Sequence, residues 1–135
     1  MSMSMAYRTI MSNIFVVSAI TLGFITFGLI SSSATQIAHA ITIPAGASIE
    51  PENGFEPKTI NVKTGETVTW KNNDNSLHTV ISGKGLNDPN NGKAFDSGLT
   101  SLTPGKSWFH QFTKAGNFPY FCELHPAMTG MIIVS

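Results

Sequence analysis

The sequence of 135 residues has few charged side chains and a single cysteine. Charged residues make up 12% of the chain, about half of the usual globular share of roughly 25%. The formal net charge is zero, which argues against a nucleic-acid-binding protein, since such proteins carry a basic excess. With only Cys122, the chain can form no internal disulfide and contains no Cys-x-x-Cys motif for zinc or redox chemistry. The length suits one domain.

The N-terminal part of the chain differs from the rest in composition. Arg8 is the only charged residue before Glu50, and residues 14–30 are almost wholly apolar. A polar stretch follows, and Ala38-His39-Ala40 then provides a small-x-small pattern. A basic start, an apolar run and an A-x-A site are typical of a secretory signal peptide.

Two interpretations of residues 1–40 remain open. A signal peptide predicts cleavage between Ala40 and Ile41, whereas the apolar run, at about 17 residues, is long for a signal peptide and close to the length of a membrane anchor. Both interpretations place residues 41–135 outside the cytoplasm. The second adds a membrane tether through residues 14–30.

Residues 41–135 are predicted to form short strands. Alternating apolar and β-branched residues indicate strands near 60–62, 66–70, 78–81, 108–112, 118–122 and 132–134. A long Gly-, Pro- and Asn-rich loop over 84–105 contains at most one more short strand, near Phe95. No window shows a helical period, so we expect an antiparallel β-sandwich or barrel.

The stretch Cys122-Glu123-Leu124-His125-Pro126-Ala127-Met128 offers a thiol, an imidazole and a thioether at intervals of three residues. It lies between two predicted strands, and a loop can turn three such side chains towards one point. A second imidazole, His78, lies beside another predicted strand. Two imidazoles, a thiolate and a weak thioether are the ligand set of blue-copper electron-transfer sites. The sequence therefore predicts a copper site at His78, Cys122, His125 and Met128.

Each of these residues has a more ordinary interpretation when taken alone. A lone cysteine in an exported domain is usually a small buried residue or a free thiol, and methionine usually fills a core. Zinc is disfavoured, because methionine is not among its usual protein ligands. The remaining histidine of the domain, His110, shares a strand face with Trp108 and Phe112, and we expect it to pack there rather than bind a metal.

The sequence resembles the cupredoxins, in particular the plastocyanin, amicyanin and pseudoazurin group. The matching stretches are GETVTWKNND (65–74), HTV (78–80), FDSG (95–98), PGK (104–106) and AGNFPYFCELHPAMTG (115–130). The resemblance implies an all-β, Greek-key β-sandwich of about eight strands that binds one type 1 copper ion. His78, Cys122, His125 and Met128 fall on the four ligand positions of that group.

Two departures from the pattern of the group bear on the site. Members often have Asn directly after the first histidine ligand, where it braces the cysteine loop, and here Thr79 stands in that position. Met131 offers a second thioether, although Gly130 is predicted to open the last strand and to leave Met131 on a sheet face. The short Cys-x-x-His-x-x-Met spacing resembles the amicyanin loop and favours Met128.

We expect a one-electron carrier and not an enzyme, because the sequence shows no pair of convergent carboxylates and no nucleophile with its base. The resemblance implies that redox partners dock transiently near His125, with Leu77, Leu124, Pro126 and Ala127 as the surrounding apolar patch. We expect a monomer that binds no nucleic acid. The alternatives are a copper-delivery module, a metal-free β-sandwich for protein interactions, and an oxidase or nitrite reductase, which would need more histidines.

Overall fold

The structure, a computed structural model, describes residues 38–135. Seven strands in this part of the chain form two sheets. The strands are β1 (Ala38–Ile43), β2 (Thr59–Val62), β3 (Thr67–Asn72), β4 (Ile81–Ser82), β5 (Ser107–Gln111), β6 (Gly116–Phe121) and β7 (Thr129–Val134), with a single 3-10 turn at Pro51–Asn53. One sheet has the order β1-β3-β5 and the other β2-β7-β6-β4. The predicted all-β class is confirmed for these residues.

Strand number and direction differ from the sequence prediction. Seven strands are present in the described residues rather than about eight, because the segment near Phe95 makes only a single bridge, between Ile81 and Asp96. Many backbone groups of the loop at 84–105 form hydrogen bonds within the loop instead of with a strand. The Asn91 amide, for example, donates to the Asp88 carbonyl. The sandwich is also not wholly antiparallel, since β1 pairs with β3, and β2 with β7, in parallel.

Strand β1 was not predicted from the sequence. It begins at Ala38 and pairs with β3, from Ala38 opposite Thr67 to Ile43 opposite Asn72. The predicted cleavage after Ala40 would fall within this strand. Residues 1–37, with most of the predicted signal peptide or anchor, lie outside the described residues, so the choice between those two stays a prediction. Within the described part of the chain, no helix has the length and apolar character to cross a bilayer.

The core lies between the two sheets and is rich in aromatic rings. Trp70 of β3 meets Tyr120 of β6 edge-on with ring centroids 5.5 Å apart, and Phe55 contacts Tyr120 at 4.8 Å. The expected packing role of His110 is confirmed, because its ring lies 5.1 Å from that of Phe95 and 4.9 Å from that of Phe112. Burial lowers the pKa of His110, which favours the neutral ring.

The topology brings two distant loops together. Strands β4 and β6 are antiparallel neighbours, with Ile81 opposite Phe121. The start of β4 therefore lies beside the end of β6. His78 precedes β4 and Cys122 follows β6, so this pairing places residues that are 44 positions apart at one end of the sandwich.

Candidate metal centre

Three of the four predicted donors meet at this end of the sandwich. The Cys122 Sγ lies 3.8 Å from His78 Nδ1 and 3.7 Å from His125 Nδ1. One donor atom from each of these residues lies within 4.8 Å of the other two. His78 and Cys122 are fully buried, while His125 is partly exposed. The structure thus gathers two nitrogens and one sulfur around a single point.

These distances fit a metal ion bound by all three atoms. Metal–nitrogen bonds of about 2.0 Å and metal–sulfur bonds of about 2.3 Å separate nitrogen from sulfur by about 3.5 Å at a tetrahedral angle and about 3.7 Å at a trigonal one. The observed sulfur–nitrogen separations of 3.7 and 3.8 Å are close to both values, so the sulfur and each nitrogen are spaced to share an ion. Two histidines and one cysteine are the principal donors of blue-copper sites.

Met128 closes the loop that carries Cys122 and His125. Its amide donates to the His125 carbonyl at 2.8 Å, and its own carbonyl accepts from the Cys122 amide at 3.0 Å. The Met128 side chain is fully buried. Met131, the other thioether considered, lies within strand β7 opposite Pro119, as the sequence predicted. The tight turn and the burial favour Met128 as the fourth donor.

The sulfur of Cys122 accepts hydrogen bonds from Thr79. The Thr79 amide donates to Sγ at 3.3 Å, and the Thr79 hydroxyl lies 3.7 Å from the same atom. That hydroxyl also accepts from the Glu123 amide at 3.0 Å. Threonine, although shorter than the asparagine frequent at this position, therefore connects the His78 segment to the cysteine loop.

The surroundings of Cys122 favour its thiolate form. Burial alone would raise the pKa of the thiol, but hydrogen bonds from His78, the Thr79 amide and His125 outweigh it and lower the pKa to about 6. A thiolate is the form of cysteine that binds metals. The site is therefore prepared to bind a cation near neutral pH.

A buried carboxylate, not predicted as a site residue, holds the far side of the first histidine. Asp74 Oδ2 lies 2.8 Å from His78 Nε2, and both side chains are buried. A carboxylate only accepts, so Nε2 carries a hydrogen, and Nδ1, which faces the Cys122 sulfur, is the nitrogen that would bind a metal once any hydrogen on it has left. The sequence offered one clue, an aspartate four residues before His78, between the strands predicted near 66–70 and 78–81.

Asp74 is itself held by three backbone amides. Gly46 donates to Oδ1, Ser48 to Oδ2 and Asn75 to Oδ1, at distances of 2.9–3.1 Å. Burial opposes ionisation of Asp74, but the hydrogen bonds from His78 and these amides prevail and hold its pKa well below the usual range. The carboxylate thus connects the loop after β1 to the metal centre.

Comparison with known proteins agrees with this geometry. A sequence profile described as "Copper binding proteins, plastocyanin/azurin family" matches residues 39–135. The chain belongs to this family. The cupredoxin resemblance expected from the motifs is thereby confirmed, and copper is the metal that this family binds.

Individual relatives come from algae, bacteria and archaea. Plastocyanin from Scenedesmus fuscus is 36% identical over 83 residues, which cover 59% of this chain and 85% of that one. Amicyanin from Paracoccus versutus is 34% identical over 98 residues, 70% of either chain. Among solved structures, a purple cupredoxin from Nitrosopumilus maritimus superposes with a TM-score of 0.62 at 31% identity, covering 72% of this chain and 99% of that one.

The donor set of this cupredoxin suits copper in both of its oxidation states. Thiolate and thioether are soft ligands that suit Cu(I), and imidazole suits Cu(II) as well. One geometry that serves both states needs little rearrangement when an electron arrives or leaves. The site is therefore suited to electron transfer.

Proposed function

We propose that this cupredoxin is a one-electron carrier in which His78, Cys122, His125 and Met128 hold a single type 1 copper ion. The observation that carries the proposal is the convergence of three donors, with the Cys122 sulfur 3.8 Å from His78 Nδ1 and 3.7 Å from His125 Nδ1. Family membership supports the choice of metal.

The residues around the site have separate tasks in this proposal. The bound copper supplies the redox chemistry by alternating between Cu(I) and Cu(II). His78 and Cys122 are fixed by Asp74 and Thr79, so they keep their positions in both states. Burial of both side chains excludes water from the donors. Met128 would supply the fourth and weakest donor, and its thioether would tune the reduction potential of the bound ion.

His125 is the proposed route for electrons to and from partners. Its ring is partly exposed and lies 4.8 Å, centroid to centroid, from the buried ring of His78. Leu124, Pro126 and Ala127 are exposed in the same loop. Such an apolar surface favours the small, short-lived interfaces of electron-transfer complexes. Redox proteins that dock around His125 are the partners we propose.

The proposed location is extracytoplasmic, with the chain either cleaved near Ala40 or tethered through residues 14–30. The basic start, apolar run and A-x-A pattern of the sequence support this proposal. We propose a monomer, because Leu124 is the one large apolar residue that the described part of the chain exposes in the loop at 122–128.

A copper titration followed by visible and EPR spectroscopy tests the function. The full chain should take up one Cu(II) ion and develop an intense thiolate-to-copper charge-transfer band. Cys122→Ser should abolish that band, because serine supplies no thiolate. Met131→Leu is the matched control and should keep the colour, since Met131 belongs to strand β7.

Three outcomes would contradict the proposal. A colourless wild-type protein in the presence of Cu(II) would favour a metal-free interaction domain, and an unchanged band in Cys122→Ser would remove this residue from the site. Rapid loss of copper to an acceptor protein would favour copper delivery. The burial of His78, Cys122 and Met128 argues against such exchange, because an acceptor cannot reach them directly.

A further inference from the structure

Gly54 lies against the full length of the Met128 side chain. It follows the 3-10 turn Pro51–Asn53 and is buried. A β-carbon at position 54 would overlap Met128 Cγ and would lie only 2.6 Å from Cε and 2.8 Å from Sδ. The space that any larger residue would need is therefore filled by the thioether.

The backbone conformation does not explain this glycine. Gly54 has φ −73° and ψ −14°, which is right-handed helical backbone open to every amino acid. The requirement is for space alone, and it comes from Met128.

Neither side of this contact can move away easily. The Gly54 amide bonds to the Pro51 carbonyl, and two backbone hydrogen bonds between Glu56 and Thr42 fix the following residues to β1 at 2.7 and 2.8 Å. Phe55 is buried against Tyr120. Met128 itself is fully buried, so it has no solvent-filled space to enter.

We propose that Gly54 is a positioning residue that sets the place of the Met128 sulfur at the metal centre. This rests on the proposed function, in which Met128 is the axial donor. The axial interaction is long and weak, so a small displacement of sulfur changes its strength and with it the reduction potential. The loop after β1 thereby influences the potential without touching copper.

Gly54→Ala in the copper-loaded full chain tests the proposal. The added methyl group should displace Met128, change the relative intensities of the visible charge-transfer bands and shift the reduction potential. Combining Gly54→Ala with Met128→Leu should give the same spectrum and potential as Met128→Leu alone, because no axial sulfur is left to displace.

Two control variants separate positioning from general damage to the fold. Val134→Ala removes buried side-chain volume at the end of β7 that lies opposite Gly116, away from Met128, so it should lower the melting temperature and leave the copper spectrum unchanged. Asn53→Ala changes an exposed neighbour and should alter neither. A spectral change in Val134→Ala as large as that in Gly54→Ala would overturn the proposal.

The stability of the metal-free protein tests the same contact if Gly54→Ala folds too poorly to bind copper. Met128→Ala removes the atoms that the new methyl group would meet. Gly54→Ala should therefore lower the melting temperature strongly in the wild-type background and little in the Met128→Ala background. Equal destabilisation in the two backgrounds would show that contact with Met128 is not the reason why position 54 requires glycine. A blue wild type with an unchanged Gly54→Ala spectrum overturns this inference alone, whereas a colourless wild type overturns the proposed function.

Discussion

At the scale of single residues, Asp74 connects protein stability to the metal centre. It accepts from the ring of His78 and from three backbone amides, all in a buried setting. The carboxylate fixes the direction of the His78 ring. Its negative charge would also oppose the loss of positive charge from an ion bound to that ring, and so would favour the oxidised state of the ion.

Asp74→Asn should destabilise the metal-free protein at neutral pH by about 1–3 kcal/mol, because hydrogen bonds to a charged group are lost. The folded-state pKa of Asp74 is depressed, so the unfolded chain binds its proton first as the pH falls below about 3.9. The wild type should therefore have a larger free energy of unfolding than Asp74→Asn above about pH 3.9, and this difference should shrink below that pH. Denaturant titrations of both proteins between about pH 5 and pH 3 measure this difference.

The comparison between these two proteins isolates Asp74. Other carboxylates with lowered pKa values, such as Glu66 and Asp88, are present in both. A difference in stability that stays constant down to about pH 3 would contradict an ionised Asp74 in the folded state.

The residues of the site could be predicted to different extents. His78, Cys122, His125 and Met128 were predicted from donor chemistry and spacing, and the structure brings the first three within reach of one ion. Asp74 and Gly54 could not be predicted, because their roles depend on contacts between loops. Glycine and aspartate are also common in loops for local backbone reasons, so neither residue indicated a contact with a distant part of the chain.

At the scale of strands, β1 is the element that the sequence did not predict. Ala38-His39-Ala40 matches a cleavage pattern, and the structure pairs these residues with Thr67, Val68 and Thr69 of β3. Cleavage after Ala40 stays a prediction. Local sequence cannot reveal a parallel partner nearly 30 residues away. The alternating strands β2, β3, β5, β6 and β7 were predicted near their observed places, because one face of each packs on the core.

A domain that begins at Ile41 should be less stable than one that begins at Ala38. It lacks half of β1 and the contact between His39 Nε2 and Glu66 Oε2 at 2.7 Å. The loss of a few strand hydrogen bonds should cost about 1–3 kcal/mol, or a fall in melting temperature of about 4–8 °C for each kcal/mol. Thermal unfolding of the two metal-free proteins gives the difference.

His39→Ala in the longer protein is the control for the side-chain contact. One partly buried side-chain hydrogen bond contributes about 0.5–1.5 kcal/mol, so His39→Ala should reproduce only part of the loss in stability. Equal melting temperatures for the two lengths would mean that residues 38–40 add nothing to the sheet.

At the scale of the whole molecule, the metal centre joins segments that are far apart in the chain. Ligand-bearing loops lie before β4 and after β6, and the loop after β1 reaches both Asp74 and Met128. An ion that binds only the folded form therefore stabilises all of these segments together. Binding of this kind raises the stability of the entire domain by mass action.

Copper should raise the melting temperature of the wild type but not that of Cys122→Ser. Free copper at 100 times its dissociation constant stabilises the folded state by about 2.7 kcal/mol. Thermal scans with and without copper measure the gain, and removal of the ion by a chelator should reverse it. A wild type that melts at the same temperature with and without copper would contradict binding that depends on the fold.

Strand β7 comes last among the described strands, yet it lies inside its sheet between β2 and β6. A growing polypeptide can therefore complete this sheet only after residues 129–134 have been synthesised. The donor-bearing turn at 122–128 comes just before them. We expect a metal ion to find its complete donor set only after this late strand has docked.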